Sequence, residues 1–253
     1  MQDEAPFPKS GPPKPPHGSL KRFYKDVSIV AVAEGSKYGI NLDGKALRTP
    51  GRNILLLPTE ALANAVAGEW RAQTDYILPQ SMPLTRLANV AADAGDDLSH
   101  ALLEGIALYA AHDLTCYLAS EPEGLVQAQA LAWAPLREWA ESVLGARLVA
   151  VRGVMPAAQD SKSIEAIRAA LEPYDAFALT ALYNLTSLSG SVVIALAIAK
   201  GRLQPEEAFE AAALDEHFQA QIWGEDEEAL ARMRARWHDF LGAANFLSLL
   251  SAG

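Results

Sequence analysis

LDEHFQAQIWGEDEEALARMRARW (214–237) governs how the C-terminal part of the chain reads: a helix, a break, then an acidic helix start. Phe209, Ala213, Phe218 and Ile222 lie four or five residues apart, close to one stripe of an α-helix. Gly224 follows Trp223 as a C-terminal stop, because glycine takes up helix-ending conformations without a Cβ penalty. Glu225, Asp226, Glu227 and Glu228 then arrive together. Carboxylates at a helix start are favoured by the macrodipole and by the free N–H groups of the first turn. Leu230, Met233, Trp237 and Leu241 recur at helical spacing and predict a long second helix. The four acids have two readings: helix capping on a solvated surface, or an acidic contact surface for another protein. Nothing in the stretch has the pattern of a nucleophile, a phosphate cradle or a metal cage.

At 253 residues the chain has room for one large or two modest domains, and half of it is hydrophobic, enough for a sizeable core. The net charge of -10 argues against a general nucleic-acid binder, which would carry a basic stripe. The charge is unevenly placed. Residues 1–52 hold nine Lys and Arg against five Asp and Glu, and the remainder holds 12 against 26. An acidic C-terminal body suggests solubility and a basic partner surface. The one cysteine, Cys116, leaves no internal disulfide and fits a reducing compartment; its LTCYLA context reads as a buried structural thiol. The N-terminus lacks the apolar core of a secretory signal. Residues 176–199 carry no charge and are long enough to span a bilayer. Thr180, Asn184, Thr186, Ser187, Ser189 and Ser191 interrupt them, which predicts two buried helical pieces meeting near Ser189-Gly190 instead.

Residues 1–19 are proline-rich and aperiodic, a disordered tail. Strands follow. Val27, Ile29, Val30 and Val32 are β-branched, Glu34 to Lys37 reads as a turn, and Tyr38, Ile40 and Leu42 alternate with a period of two. Asp43-Gly44 is a hairpin signal, 46–49 would return, Pro50-Gly51 would turn again, and 54–57 is a fourth short run. Thr59 and Glu60 open a helix in which Leu62, Val66 and Trp70 face the core. Pro79 and Pro83 bracket an extended Gln80-Ser81-Met82 before helix resumes over 84–92. The cluster Asp93, Gly95, Asp96 and Asp97 marks a domain boundary. Beyond it the pattern is helical. Leu102, Ile106 and Tyr109 form one stripe. A helix over 125–144 turns Trp133, Leu136, Trp139 and Val143 inward, with a kink or break at Pro135. Residues 148–154 look extended, 163–171 form a short amphipathic helix, and Pro205-Glu206-Glu207 opens a helix that runs to Trp223. The expected class is therefore α+β. A tail (1–19) leads into a small N-terminal domain of antiparallel strands plus helix (20–95), then a larger all-helical C-terminal domain (96–253).

The scan for catalytic chemistry is negative. The chain has neither a glycine-rich phosphate loop ending in Lys-Ser/Thr nor a dinucleotide fingerprint, and it lacks a Gly-x-Ser-x-Gly elbow. Ser189-Gly190-Ser191 has residue types suited to an anion-binding turn, but with no lysine beside it close helix packing is the better reading. His17, His100, His112, His217 and His238 are scattered, with no i, i+4 pair for a helical metal site. One enzymatic reading stays open: a hydrolase or transferase using Glu227 with His217 or His112 as acid and base, which requires those groups to converge.

Seven segments in order, RFYKDVSIV (22–30), YGINLDGKALRTP (38–50), LPTEALANAVAGEW (57–70), MPLTRLANVAAD (82–93), DLTCY (113–117), SGSVVIALAIAKG (189–201) and FQAQIWGEDEEA (218–229), resemble the chaperones that assemble the F(1) head of ATP synthase. More narrowly, they resemble the assembly factor that holds the alpha subunit. The resemblance spans nearly everything after the tail. It implies two domains, no cofactor, and a function of binding rather than turnover. It further implies a monomer that shields the apolar surface of free alpha subunit until beta arrives, with no nucleic acid and no stable membrane insertion. In that family an acidic residue soon after the Trp-Gly pair is tied to function. Glu227 is the nearest match, Asp226 and Glu228 are register alternatives, and Glu225 and Trp223 complete the expected contact. Trp70 matches the family's Glu-Trp pair and reads as structural, as does Gly224. Bacterial members lack the targeting segment of their mitochondrial relatives, and the proline-rich tail here lacks an arginine-rich amphipathic pattern, which implies bacterial cytoplasm.

Overall fold

The computed structural model describes residues 20–32, 37–94, 96–153, 158–224 and 226–251. The expected tail at 1–19, the turn at 34–36 and Glu225 lie outside the described residues.

Strand β1 (Val27–Val32) pairs antiparallel with β2 (Lys37–Leu42), Val30 lying opposite Gly39. Asp43 and Gly44 turn the chain with φ of 48° and 76°. Two positive values in succession give the turn whose twist matches the flanking strands, as the Asp-Gly pair predicts. The returning strand is shorter than expected, β3 (Lys45–Ala46). The chain then leaves the edge of β2, closes a small loop through an Arg48–Ile54 bridge, and comes back as β4 (Leu56–Leu57). β2 thus carries β1 on one side, with β3 and β4 end to end on the other. The inner face holds Ile40, Leu42, Leu55 and Leu57, all buried. Helix α1 (Glu60–Ala72) lies against that face, its first turn capped by the Thr59 hydroxyl, which accepts from the Leu62 N–H at 3.2 Å. Trp70 is buried as expected; Tyr24 packs edge-on to it, and the Tyr24 hydroxyl donates to its carbonyl at 2.6 Å.

Helix α2 (Pro83–Asp93) follows, and α3 (Asp96–Tyr109) starts directly after the position drawn as a boundary. Strand β5 (Tyr117–Leu118), helix α4 (Glu123–Trp139), strand β6 (Val151–Arg152) and helix α5 (Ser161–Leu171) come next; β5 and β6 pair in parallel. The uncharged region divides as predicted into α6 (Ala176–Ser189) and α7 (Val192–Ala199). Gly190 ends the first with φ 71°, and Ser191 caps the second. Among the described residues no helix is long and apolar enough to cross a membrane. Helices α8 (Pro205–Ala212), α9 (Leu214–Trp223) and α10 (Glu227–Leu250) complete the chain. α6 is the hub, packed by α2, α3, α7 and α10. One continuous core therefore runs from the sheet through α2 into the helical part.

Four further sequence expectations differ from the structure. Pro205 to Trp223 is two helices, broken at Ala213, because α4 competes for the joint. The Trp133 indole N–H donates to the Ala211 carbonyl at 2.8 Å, and the Gln129 amide donates to Asp215 at 2.7 Å. Residues 79–81 form a 3-10 turn instead of an extended piece, closed by Met82 N–H on the Pro79 carbonyl at 3.1 Å. α4 continues through Pro135 without a break; the departure comes at 140–144, a π turn. Val143 lies within that wider turn, whose spacing departs from the α-helical stripe, and is exposed and not inward.

Carboxylates tie distant segments of the sequence to one another. Asp43 accepts from the N–H groups of Lys25 and Asp26, and the Asp26 bond holds its carboxyl below the usual range. Asp93 accepts from the Thr49 hydroxyl at 2.6 Å, the Gly51 N–H and the Asn53 amide; the Thr49 bond is the main reason its pKa is lowered. Glu69 accepts from the N–H groups of Leu84 and Thr85, capping α2, while burial pushes its pKa up.

The α2–α10 contact is close. A Cβ on Gly242 would stand 2.6 Å from Pro83 Cβ, and a proline ring cannot swing aside. Gly242→Ala is expected to destabilise the fold by about 1–3 kcal/mol, the range for overpacking. Thermal unfolding checks this; an unchanged midpoint would mean that α2 and α10 slide apart freely.

Candidate functional site

α9 packs on α4 and α8 but buries none of its own residues, and its end turns into the start of α10. Gly224 makes the turn possible. Its φ of 84° and ψ of 165° lie where side chains are strained, and its N–H returns to the Ala220 carbonyl at 2.9 Å. Asp226 is the N-cap of α10, its carboxylate accepting from the Ala229 N–H at 2.7 Å. Glu228 pairs with Arg232 one turn on. Glu227 sits in the first turn, exposed, with no hydrogen bond or ion pair among the described residues. The three described acids therefore divide: Asp226 caps, Glu228 pairs along the helix, and Glu227 has no partner among the described residues.

Apolar surface adjoins Glu227. Trp223 is 85% exposed and Ile222 54% exposed. An indole left in water at the end of a helix is a large uncovered area for so small a tip. Between α9 and α10 lies a cleft of about 350 Å³, with Ala220, Leu230 and Met233 on its walls and Trp223, Glu216 and Asp226 around it. The two helices are tied further down, where Arg236 pairs with Glu216 at 2.7 Å and lies 5.2 Å from the Phe209 ring centroid. The cleft thus offers room for an apolar side chain; its own carboxylates are engaged, Glu216 by Arg236 and Asp226 by the Ala229 N–H.

The acid–base constellation of the enzymatic reading does not assemble. His217 is held by Glu210, Nδ1 to Oε2 at 3.0 Å, and Glu227 is not on the cleft wall. His112 Nδ1 is 3.0 Å from the Tyr117 hydroxyl, in the loop between α3 and β5. Among the described residues no group of three His, Cys, Asp or Glu could hold a metal ion.

One residue that sequence reasoning passed over is central to the helical part. Asp113 is fully buried. Its carboxylate accepts from the Thr115 N–H at 3.0 Å, the Thr115 hydroxyl at 2.7 Å, the Ser191 hydroxyl at 2.9 Å and the Val193 N–H at 3.1 Å. Burial pushes its pKa up, against those bonds. The Ser189-Gly190-Ser191 turn thus leads into a helix start that holds a side chain of the same protein: the Ser191 hydroxyl and the Val193 N–H both donate to Asp113. Cys116 next to it is buried, and burial pushes its thiol up to about 12, an inert thiol as expected.

This combination, a small strand layer on a helical body with an uncovered acidic and apolar tip, has the character of a binding protein. Residues 21–141 match the family described as ATP12 chaperone protein. The mitochondrial atp12 protein of Schizosaccharomyces pombe is 28% identical over 226 residues, covering 85% of this chain and 77% of that protein. The crystal structure of Atp12 from Paracoccus denitrificans is 40% identical, covers 91% of this chain and 98% of that one, and superposes with a TM-score of 0.84. A solved Agrobacterium tumefaciens structure is 44% identical, with 91% and 86% coverage and a TM-score of 0.86. The chain belongs to the ATP12 chaperone family.

Proposed function

We propose that this protein is a holding chaperone in the assembly of the F(1) sector of ATP synthase, that its client is the free alpha subunit, and that it works as a monomer in the bacterial cytoplasm without a cofactor. Family membership supports the chaperone role, and the observation at the site that carries the reading is the uncovered Trp223 beside the unpaired Glu227. A subunit waiting for its partner exposes apolar surface and aggregates through it. An exposed indole with an apolar cleft behind it supplies area to cover such a surface, and unpaired carboxylates set orientation and speed of encounter. Glu227, Trp223 and the cleft are the proposed client contact, with Asp226 shaping the helix start and Glu228 at its flank. Trp70 and Gly224 are proposed as structural supports. The hydrolase or transferase alternative has no converging acid–base pair in its favour.

Light scattering tests the reading. Alpha subunit diluted from denaturant is expected to stay clear when an equimolar amount of this protein is present. Scattering that rises as fast with it as without it would overturn the assignment.

A further inference from the structure

β1 is an edge strand: β2 is its only paired neighbour among the described residues. The direction of its backbone groups follows from two bonds. The Asp43 N–H donates to the Asp26 carbonyl, so Asp26, Ser28, Val30 and Val32 face β2. The Val27 carbonyl accepts from the Arg71 guanidinium at 3.1 Å, so Val27, Ile29 and Ala31 face the other way. Arg71 covers the first of these; no described backbone group pairs with the outward N–H and carbonyl groups of Ile29 and Ala31. Proteins blunt such edges with charges, prolines or short strands. β1, VSIVAV, has six residues, no charge and no proline.

The face beside that edge is also uncovered. Val30 and Val32 are 42% and 38% exposed, and Gly39 between β1 and Leu56 adds no side chain to the outer face. Among the described residues the charges around the edge are more positive than negative. Among the described residues Lys25 and Arg71 stand at the start of β1 and Lys37 opposite its end, against Asp26 and Asp43 at its start. Two internal candidates fit poorly. A second copy pairing antiparallel would bring the Lys25 and Arg71 end of one chain against the Lys37 end of the other. The chain's own residues 1–19 carry six prolines, which lack the N–H a strand must donate.

We infer that the free edge of β1 docks an extended segment of a partner polypeptide, with apolar residues flanked by acids, as an added strand. Main-chain bonds to Ile29 and Ala31 supply the register, Val30 and Val32 take alternate side chains, and Lys25, Arg71 and Lys37 select acidic flanks. The site lies far from the acidic tip. The Thr59 hydroxyl donates to the Leu249 carbonyl, so the sheet adjoins the C-terminal end of α10 while Glu227 is at its start. α10, 24 residues and roughly 36 Å long, runs between that end and the tip. That the segment belongs to the same client rests on the chaperone reading; the edge itself does not.

Amide hydrogen exchange on the full chain is the test, with two probes: a blocked peptide of alternating valine and glutamate, and its counterpart with lysine for glutamate. At ten times its Kd the acidic peptide is expected to slow exchange at Ile29 and Ala31 about tenfold. The lysine peptide should leave both unchanged. Ala31→Pro should abolish the protection and keep the fold, because it deletes only an outward N–H. No slowing at Ile29 and Ala31 with the acidic peptide overturns the inference. Equal slowing by both peptides removes the charge selection and overturns it too. Protection that grows with protein concentration and needs no peptide identifies a second copy as the occupant and overturns it as well. Failure to hold alpha subunit would sink the chaperone reading while leaving the peptide result standing.

Discussion

Replacing Asp113 by alanine is expected to cost about 3 kcal/mol of folding stability, measured by chemical denaturation. The carboxylate is the shared acceptor of the loop before β5 and the start of α7. Its loss strands the N–H groups of Thr115 and Val193 in the interior, each costing roughly 1–3 kcal/mol when unpaired. Asp113→Asn should cost less but not nothing, since an amide presents a donor where Ser191 and Val193 already donate. The pH dependence has a definite sign. Burial raises the folded pKa of Asp113, so the folded state binds this proton more readily than the unfolded chain. The stability tied to it therefore rises as pH falls through the folded pKa. Asp43 and Asp93 act in the opposite sense: their depressed pKa values contribute stability above the unfolded value, lost as pH falls through the folded one. Comparing Asp113→Asn with the unchanged chain across acidic pH isolates the first effect. A difference in stability that does not vary with pH would contradict it.

Trp223→Ala and Glu227→Lys are each expected to weaken client binding by at least about tenfold, or roughly 1.4 kcal/mol, with little change in melting temperature. Neither side chain supports the fold: Trp223 is 85% exposed and Glu227 has no partner among the described residues. Two controls separate contact from capping. Asp226→Ala removes the N-cap and should cost about 1 kcal/mol of stability. Glu228→Ala loses an exposed pair with Arg232, worth about 0.3–0.5 kcal/mol. Titration calorimetry with alpha subunit and a melting curve for each variant distinguish these cases. Glu227→Lys unfolding the protein would make capping the role of this acid and contact the wrong one.

Local chemistry made much of this fold legible in the sequence. Asp43-Gly44 demanded a hairpin, Gly190 and Gly224 demanded helix ends, and the spacing of Leu230, Met233 and Trp237 demanded the long α10. What stayed hidden is long-range. The break at Ala213 is imposed by Trp133 and Gln129, 78 and 86 residues distant from their partners. Asp113 looks ordinary next to His112 until Ser191, 78 residues on, is folded against it. The π turn that exposes Val143 leaves no mark in the periodicity before it. At the candidate site the sequence supplied the acidic cluster but not the division of labour within it. Which carboxylate caps depends on the φ and ψ of one residue, and Asp226, not Glu227, has the extended conformation of an N-cap.

The most direct test of the central claim is co-purification of this protein with its own organism's ATP synthase alpha subunit, expressed without beta. A soluble one-to-one complex that dissolves when beta is added is the expected result. Alpha subunit that stays insoluble, with no complex at low or high salt, would contradict it.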